Sequence, residues 1–127
     1  MKKEAEKSIL IVEDEPDIKR FARRVLELEG YRVNAVGDAE TAWKELKKEK
    51  YSLLVLDLRL PGENGWALFE KVKADPQTSG MPVLVFSASA SYESRKRAQE
   101  LGAAGFLVKP VTAQGLVDAV AAILGKA

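Results

Sequence analysis

Residues 53–62 read LLVLDLRLPG, and this stretch decides the fold. Four consecutive apolar residues without polar alternation predict a short strand covered on both faces, as in a parallel sheet flanked by helices. Pro61 and Gly62 then predict a turn. Asp57 therefore stands where a buried strand ends, and open α/β sheets place their binding sites at this end of their strands.

Polar side chains follow three further apolar runs in the same way. The runs lie at residues 9–12, 83–86 and 105–108, and the residues that follow them are the acids Glu13 and Asp14, then Ser87, then Lys109. If these strands are parallel neighbours, their carboxyl ends meet at one edge of one sheet. We therefore expect acids, a hydroxyl and an amine to form a single site.

The segments between the runs have the three- and four-residue apolar spacing of amphipathic helices. Helices are predicted after Pro16, after Asp38, over 65–74, over 91–101 and after Thr112. In the first of them, the residues predicted to face inward are Ile18, Phe21, Ala22, Val25 and Leu28. Residues 31–36 largely alternate, which indicates an edge strand. The pattern predicts an α/β fold, a doubly wound five-stranded parallel sheet with five helices on both faces.

The composition is that of one globular domain. The chain has 127 residues, of which 46% are hydrophobic and 31% charged, and such a length suits a single core. We expect residues 1–7 to be a disordered charged leader and residues 8–127 to be the domain. No apolar run is long enough to span a membrane and no signal-peptide pattern is present, so we expect a cytoplasmic protein without membrane contact.

The absent residue types exclude several kinds of site. The chain has no Cys and no His, which excludes disulfides, thiolate and imidazole metal ligands, and nucleophiles activated by His. Its 20 basic residues nearly balance its 19 acidic residues and are spread over several helices. A direct nucleic-acid partner is therefore not expected.

The order and spacing of these motifs resemble the receiver domain of two-component response regulators, a chemotaxis-regulator-like domain. The resemblance runs from about Ser8 to Leu124, and its motifs are Glu13-Asp14, Asp57 in an Asp-x-x-x-Pro-Gly-x-x-Gly setting completed by Gly65, Ser87-Ala88, and Lys109-Pro110. Several motifs in one order are more specific than any single motif. The resemblance implies a flavodoxin-like sheet with strand order 2-1-3-4-5.

The acids are the expected metal ligands. Carboxylates crowded at one edge repel one another, and Mg²⁺ prefers oxygen ligands while keeping several waters. Glu13, Asp14 and Asp57 form the expected set. The resemblance adds the backbone carbonyl of Arg59 as a ligand and implies that one of the paired acids reaches the ion through water. The first acid is Glu here where the family more often has Asp.

The resemblance also implies the chemistry. Asp57 would form an aspartyl phosphate, with Lys109 and Mg²⁺ neutralising the transferring group and Ser87 donating a hydrogen bond to it. Because the chain has no His, the phosphoryl group must come from a histidine kinase, a phosphotransfer protein or a small acyl phosphate. Apart from catalysing its own phosphorylation and slow dephosphorylation, the chain is not expected to be an enzyme.

Phosphorylation of Asp57 is expected to change the conformation of an output surface. By resemblance, Ser87 and Phe106 would move together when Asp57 is phosphorylated, since added negative charge can bias an element with two arrangements. The output surface would be the face of helix 4, strand 5 and helix 5. A downstream protein or a second copy of the chain in a homodimer would bind there.

Two other functions remain open at this point. A receiver that serves only for docking or dimerisation would need no phosphorylation. A small phosphatase with an Asp nucleophile would need an acid two residues after the nucleophile, where Arg59 stands. Taken alone, Glu13-Asp14 can cap a helix and Asp57 can be a turn residue. We further expect Arg59 to tune the lifetime of the phosphorylated state and Trp66 to report metal binding.

Overall fold

A computed structural model describes residues 6–89 and 91–125. Its elements in chain order are β1 Ser8–Val12, α1 Pro16–Leu28, β2 Arg32–Val36, α2 Ala39–Lys48, β3 Leu53–Leu56, a 3₁₀ turn Pro61–Glu63, α3 Asn64–Ala74, β4 Val83–Ser87, α4 Tyr92–Glu100, β5 Gly105–Val108 and α5 Ala113–Leu124. The strands form one parallel sheet in the order β2-β1-β3-β4-β5. The predicted α/β fold and strand order are confirmed.

The sheet separates two hydrophobic cores, because alternate residues of a strand point to opposite faces. One core joins the sheet to α2, α3 and α4, and the other joins it to α1 and α5. The central strands β1, β3 and β4 are fully buried, as predicted from their unbroken apolar runs. The strands β2 and β5 form the two edges of the sheet, and β2 is the edge that alternation predicted.

The inward face of α1 differs from the prediction at two residues, Leu28 and Phe21. Leu28 was expected to face the core, but it is 73% exposed, whereas Leu26 is fully buried. Leu26 lies four residues after the buried Ala22, and Leu28 lies six residues after it, which turns its side chain about 120° away at 3.6 residues per turn. Phe21 was also expected to face the core, but it is 38% exposed and lies at the margin of the buried stripe.

The helices begin where the caps were expected. Asp38 and Thr112 accept hydrogen bonds from the backbone N–H three residues later, which satisfies one free donor at the start of α2 and of α5. Within the described ranges 6–89 and 91–125, no helix combines the length and hydropathy needed to cross a lipid bilayer. Most of the expected leader, residues 1–5, lies outside the described residues. Lys7 donates from Nζ to the carbonyl of Leu124 at 2.6 Å.

Candidate functional site

The site forms because the strand register brings four chain segments to one edge of the sheet. Val12 of β1 pairs with Leu56 of β3, and the backbone N–H of Asp57 donates to the carbonyl of Val12 at 3.0 Å. Directly after β5, the N–H of Lys109 donates to the carbonyl of Ser87 at 2.9 Å. Asp57 and Lys109 thus each extend the sheet ladder by one position, so their side chains start from fixed places.

Lys109 joins the two sides of the site. Its Nζ lies 3.0 Å from Oδ2 of Asp57 and also donates to Oε1 of Glu13. The Lys109 side chain reaches these acids over the ring of Phe86, whose centroid lies 4.9 Å from Nζ. Only a tenth of the Lys109 side chain is exposed. The predicted convergence of the amine and the carboxylates is therefore present in the structure.

Glu13 is the buried member of the acidic set. Its side chain is inaccessible to solvent; Oε1 faces Lys109 and Oε2 accepts from the backbone N–H of Glu15 at 2.9 Å. Burial raises the pKa of Glu13 above its ordinary value of 4.5, because these hydrogen bonds offset the loss of water only in part. Helix capping alone does not explain a carboxylate held in this way.

The pKa of Lys109 is raised as well, but for an amine a raised pKa favours the charged form. Burial by itself lowers the pKa of Lys109, but hydrogen bonds to Glu13 and Asp57 outweigh burial and raise the pKa above its ordinary value of 10.5. Lys109 gains from two carboxylates, whereas Glu13 has only one ammonium partner and also lies near Asp57. The ammonium is therefore held charged beside Asp57.

The three acids can hold a cation. One carboxylate oxygen from each of Glu13, Asp14 and Asp57 lies within 4.8 Å of the others, and Asp14 is exposed while the other two are buried. An all-oxygen set with an open side suits a hard cation such as Mg²⁺ that retains waters. The backbone N–H of Arg59 donates to Oδ1 of Asp57 at 2.8 Å. The role of the Arg59 backbone carbonyl as a metal ligand stays a prediction.

The loop after Asp57 is packed tightly under the first turn of α3. Gly62 has φ +72°, in the left-handed region that glycine adopts without strain. A Cβ on Gly65 would lie 2.5 Å from the carbonyl oxygen of Leu58 and 2.6 Å from that of Asp57. Real Cβ atoms do not approach carbonyl oxygens so closely, so Gly65 is required for this packing.

The predicted switch residues lie on neighbouring strands. Ser87 is buried, and its Oγ accepts from the backbone N–H of Ser89 at 3.2 Å, so the hydroxyl is tied to the loop before α4. Phe106 on β5 is half-buried, and the guanidinium carbon of Arg95 lies 4.9 Å from the centroid of its ring. The structure therefore places Phe106 beneath α4, and its movement stays a prediction.

Two features near the site were not anticipated from the sequence. One is the backbone N–H of Glu15, which orients Glu13. The other is Arg97 of α4, which stacks on Trp66 of α3. Backbone donors carry no sequence signal. An aromatic residue beside the site loop and an arginine-rich helix were both visible, but their pairing depends on how α3 and α4 lie against each other.

Comparison with known protein families identifies the family of this chain. Residues 9–121 match the family profile described as the response regulator receiver domain. The chain belongs to this family. Receiver domains act in two-component signal transduction, and the order of the motifs indicated the same function. Receiver domains generally bind Mg²⁺, and the acidic cluster of Glu13, Asp14 and Asp57 could hold such an ion.

Individual relatives agree with the family. The transcriptional activator protein IrlR of Burkholderia pseudomallei is 37% identical over 116 residues, which cover 91% of this chain and 49% of that protein. The sensory/regulatory protein RpfC of Xanthomonas campestris pv. campestris is 34% identical over 89% of this chain and 16% of that protein. The chain thus spans half or less of these relatives' length.

A solved receiver domain has the same fold. The non-phosphorylated receiver domain of HemR from Leptospira biflexa superposes with a TM-score of 0.87 at 30% sequence identity, covering 96% of this chain and 97% of that one. The likeness covers nearly the whole chain, so the receiver fold is shared over nearly its full length.

Proposed function

We propose that this receiver domain accepts a phosphoryl group on Asp57 from the phosphohistidine of a partner histidine kinase or phosphotransfer protein. The observation that supports this most is the position of Asp57, whose two oxygens face Arg59 N–H at 2.8 Å and Lys109 Nζ at 3.0 Å. A carboxylate restrained on both sides attacks with little reorganisation. The role is that of a signalling phosphoacceptor rather than of an enzyme that turns over a substrate.

In the transfer, a carboxylate oxygen of Asp57 forms a bond to phosphorus as the bond from phosphorus to the donor's imidazole nitrogen breaks. The leaving imidazole keeps the bonding electron pair. Lys109 is held charged and lies close enough to Asp57 to neutralise the charge that develops on the phosphoryl oxygens. Mg²⁺ bound by Glu13, Asp14 and Asp57 would supply further charge neutralisation.

The conformational response would begin at the hydroxyl of Ser87, at the end of β4. Ser87 can turn its O–H toward a phosphoryl oxygen on Asp57, and a hydrogen bond to a charged group contributes about 1.5 to 3 kcal/mol. Its present link to Ser89 N–H would carry the loop with it. We propose that this motion and a change at Phe106 alter the face of α4, β5 and α5, where a downstream protein or a second copy binds.

The test is reaction with acetyl phosphate and Mg²⁺, followed by intact-mass measurement of the wild type and of Asp57→Asn. We expect the wild type to gain one phosphoryl group and the variant to gain none. An unmodified wild type would favour a docking module that needs no phosphorylation. Steady release of inorganic phosphate at an enzyme's turnover rate would favour a phosphatase, although Arg59 occupies the position where such an enzyme needs an acid.

A further inference from the structure

Helix α4 is attached to the domain by few apolar contacts. Of the residues Tyr92–Glu100, Ala98 alone is fully buried, and Leu101 just beyond the helix is partly buried against the same core. By contrast, α3 buries Leu68, Phe69 and Val72 in addition to Gly65. The position of α4 therefore depends strongly on the polar side chains that reach from it to its neighbours.

Arg97 makes the polar contact from α4 to α3. Its guanidinium carbon lies 4.1 Å from the centroid of the Trp66 ring, and its Nη2 lies 3.4 Å from Oε2 of Glu70, one turn further along α3. A guanidinium over an indole face is the most favourable cation–π geometry. Because the Arg97 side chain is half exposed, the contact can open at modest cost.

Trp66 is also connected to the phosphoacceptor loop. It follows Gly65, whose Cα packs directly on the carbonyl groups of Asp57 and Leu58, with no room for a methyl group. A shift of this loop must therefore move the first turn of α3 with it, since packed backbone does not deform independently. Trp66 and the stacked Arg97 would then transmit that shift to α4.

We propose that Arg97 is a latch that couples the phosphoacceptor loop to α4 through Trp66, along a route separate from Ser87 and Phe106. This inference rests on the proposed function, because it concerns the response to a phosphoryl group at Asp57. The physical basis is a continuous set of contacts from Asp57 through Gly65 and Trp66 to a helix with few apolar anchors.

The latch is tested first by hydrogen exchange in the α4 peptide, with exchange in α2, where neither variant changes a residue, as the reference for global unfolding. Arg97→Ala should speed α4 exchange about three- to tenfold, since a stacked cation and an exposed ion pair each change an equilibrium constant a few-fold. Arg97→Lys should also speed it, because a lysine lacks the planar group. The matched control is Arg23→Ala, which removes a similarly exposed arginine paired with Glu27 on α1. Equal α4 exchange in Arg97→Ala and the wild type would overturn the latch.

The coupling is tested by repeating the exchange with Mg²⁺ and beryllium fluoride, a phosphoryl mimic. We expect α4 exchange to change in the wild type and in Arg23→Ala, and this change to shrink in Arg97→Ala and Trp66→Leu. Binding with an undiminished α4 response in both variants would overturn the latch alone. A wild type that neither binds the mimic nor reacts with acetyl phosphate would overturn the proposed function and this regulatory role with it.

Discussion

Lys109 Nζ and Asp57 Oδ2 lie 3.0 Å apart although the two residues are 52 positions apart in the chain. Parallel strands on either side of β4 bring them together, and the Lys109 side chain crosses the ring of Phe86 to complete the contact. The same ammonium also binds Glu13, which directly follows β1. One cation therefore links three segments of the sheet edge at the place where the phosphoryl group is proposed to bind.

Replacing Lys109 by Met should destabilise the domain by about 3 to 5 kcal/mol at neutral pH, because Glu13 then stays buried without its ammonium partner. The effect should vanish at alkaline pH. A group with a raised folded-state pKa stabilises the fold below its ordinary value, here 10.5, and this contribution is lost as the pH rises through the folded pKa.

The measurement is urea unfolding of the wild type and Lys109→Met at a series of pH values from 7 to above 10.5. Tyr31 and Tyr51 also have raised pKa values through burial, but they act alike in both proteins and cancel in the difference. A difference in unfolding free energy that stays constant across this range would contradict the account of Lys109.

Gly65→Ala should destabilise the domain by about 1 to 3 kcal/mol, the usual cost of overpacking. It should also slow phosphorylation by acetyl phosphate, because the added methyl group displaces the carbonyls of Asp57 and Leu58. Thermal unfolding and intact-mass kinetics measure the two effects. Gly80→Ala is the control, since a Cβ there meets no atom within 4 Å. Equal behaviour of both variants would refute the role of Gly65.

Asp14→Asn should weaken Mg²⁺ binding roughly tenfold or more, because it removes one charge from an all-carboxylate set. The fluorescence of Trp66 can report binding in a Trp43→Phe background, where it is the sole tryptophan. Asp17→Asn, which alters a nearby exposed acid on α1, should leave the titration unchanged. A titration curve that is flat for all proteins would exclude Trp66 as the reporter, and calorimetry would then decide the affinity.

Arg59→Ala should change the lifetime of the phosphorylated state. Arg59 is exposed and its backbone N–H donates to Asp57, so a guanidinium this close to the site can pair with the phosphate or obstruct an attacking water. The decay of the phosphorylated mass after removal of acetyl phosphate measures this lifetime. Arg20→Ala, a change to an exposed arginine on α1, serves as the control. Identical decay in Arg59→Ala and the wild type would remove the hypothesis.

Local patterns were sufficient for much of the fold. The unbroken apolar run at residues 53–56 requires two covering layers, and the structure buries it completely. Strand ends then place Asp57 and Lys109 at one edge, which the motif spacing predicted. The error at Leu28 shows the limit of such patterns, since a helix of thirteen residues offers two overlapping stripes and only packing selects between them.

The details of the site could not be predicted from the sequence. Glu13 was predicted as a metal ligand, but its burial and its hydrogen bond to Lys109 depend on where the Lys109 side chain ends. The stacking of Arg97 on Trp66 depends on the packing of α3 against α4. Contacts between residues distant in the chain and made by long flexible side chains leave no periodic signal in a sequence.

The central claim is that Asp57 is the residue that carries the phosphoryl group. Reduction of the acetyl phosphate-treated protein with borohydride converts an aspartyl phosphate to homoserine, and peptide mass mapping then locates it. The account predicts homoserine at position 57, dependent on Mg²⁺ and strongly reduced in Lys109→Met. Homoserine at another acid, or none in a protein shown to be folded, would contradict it.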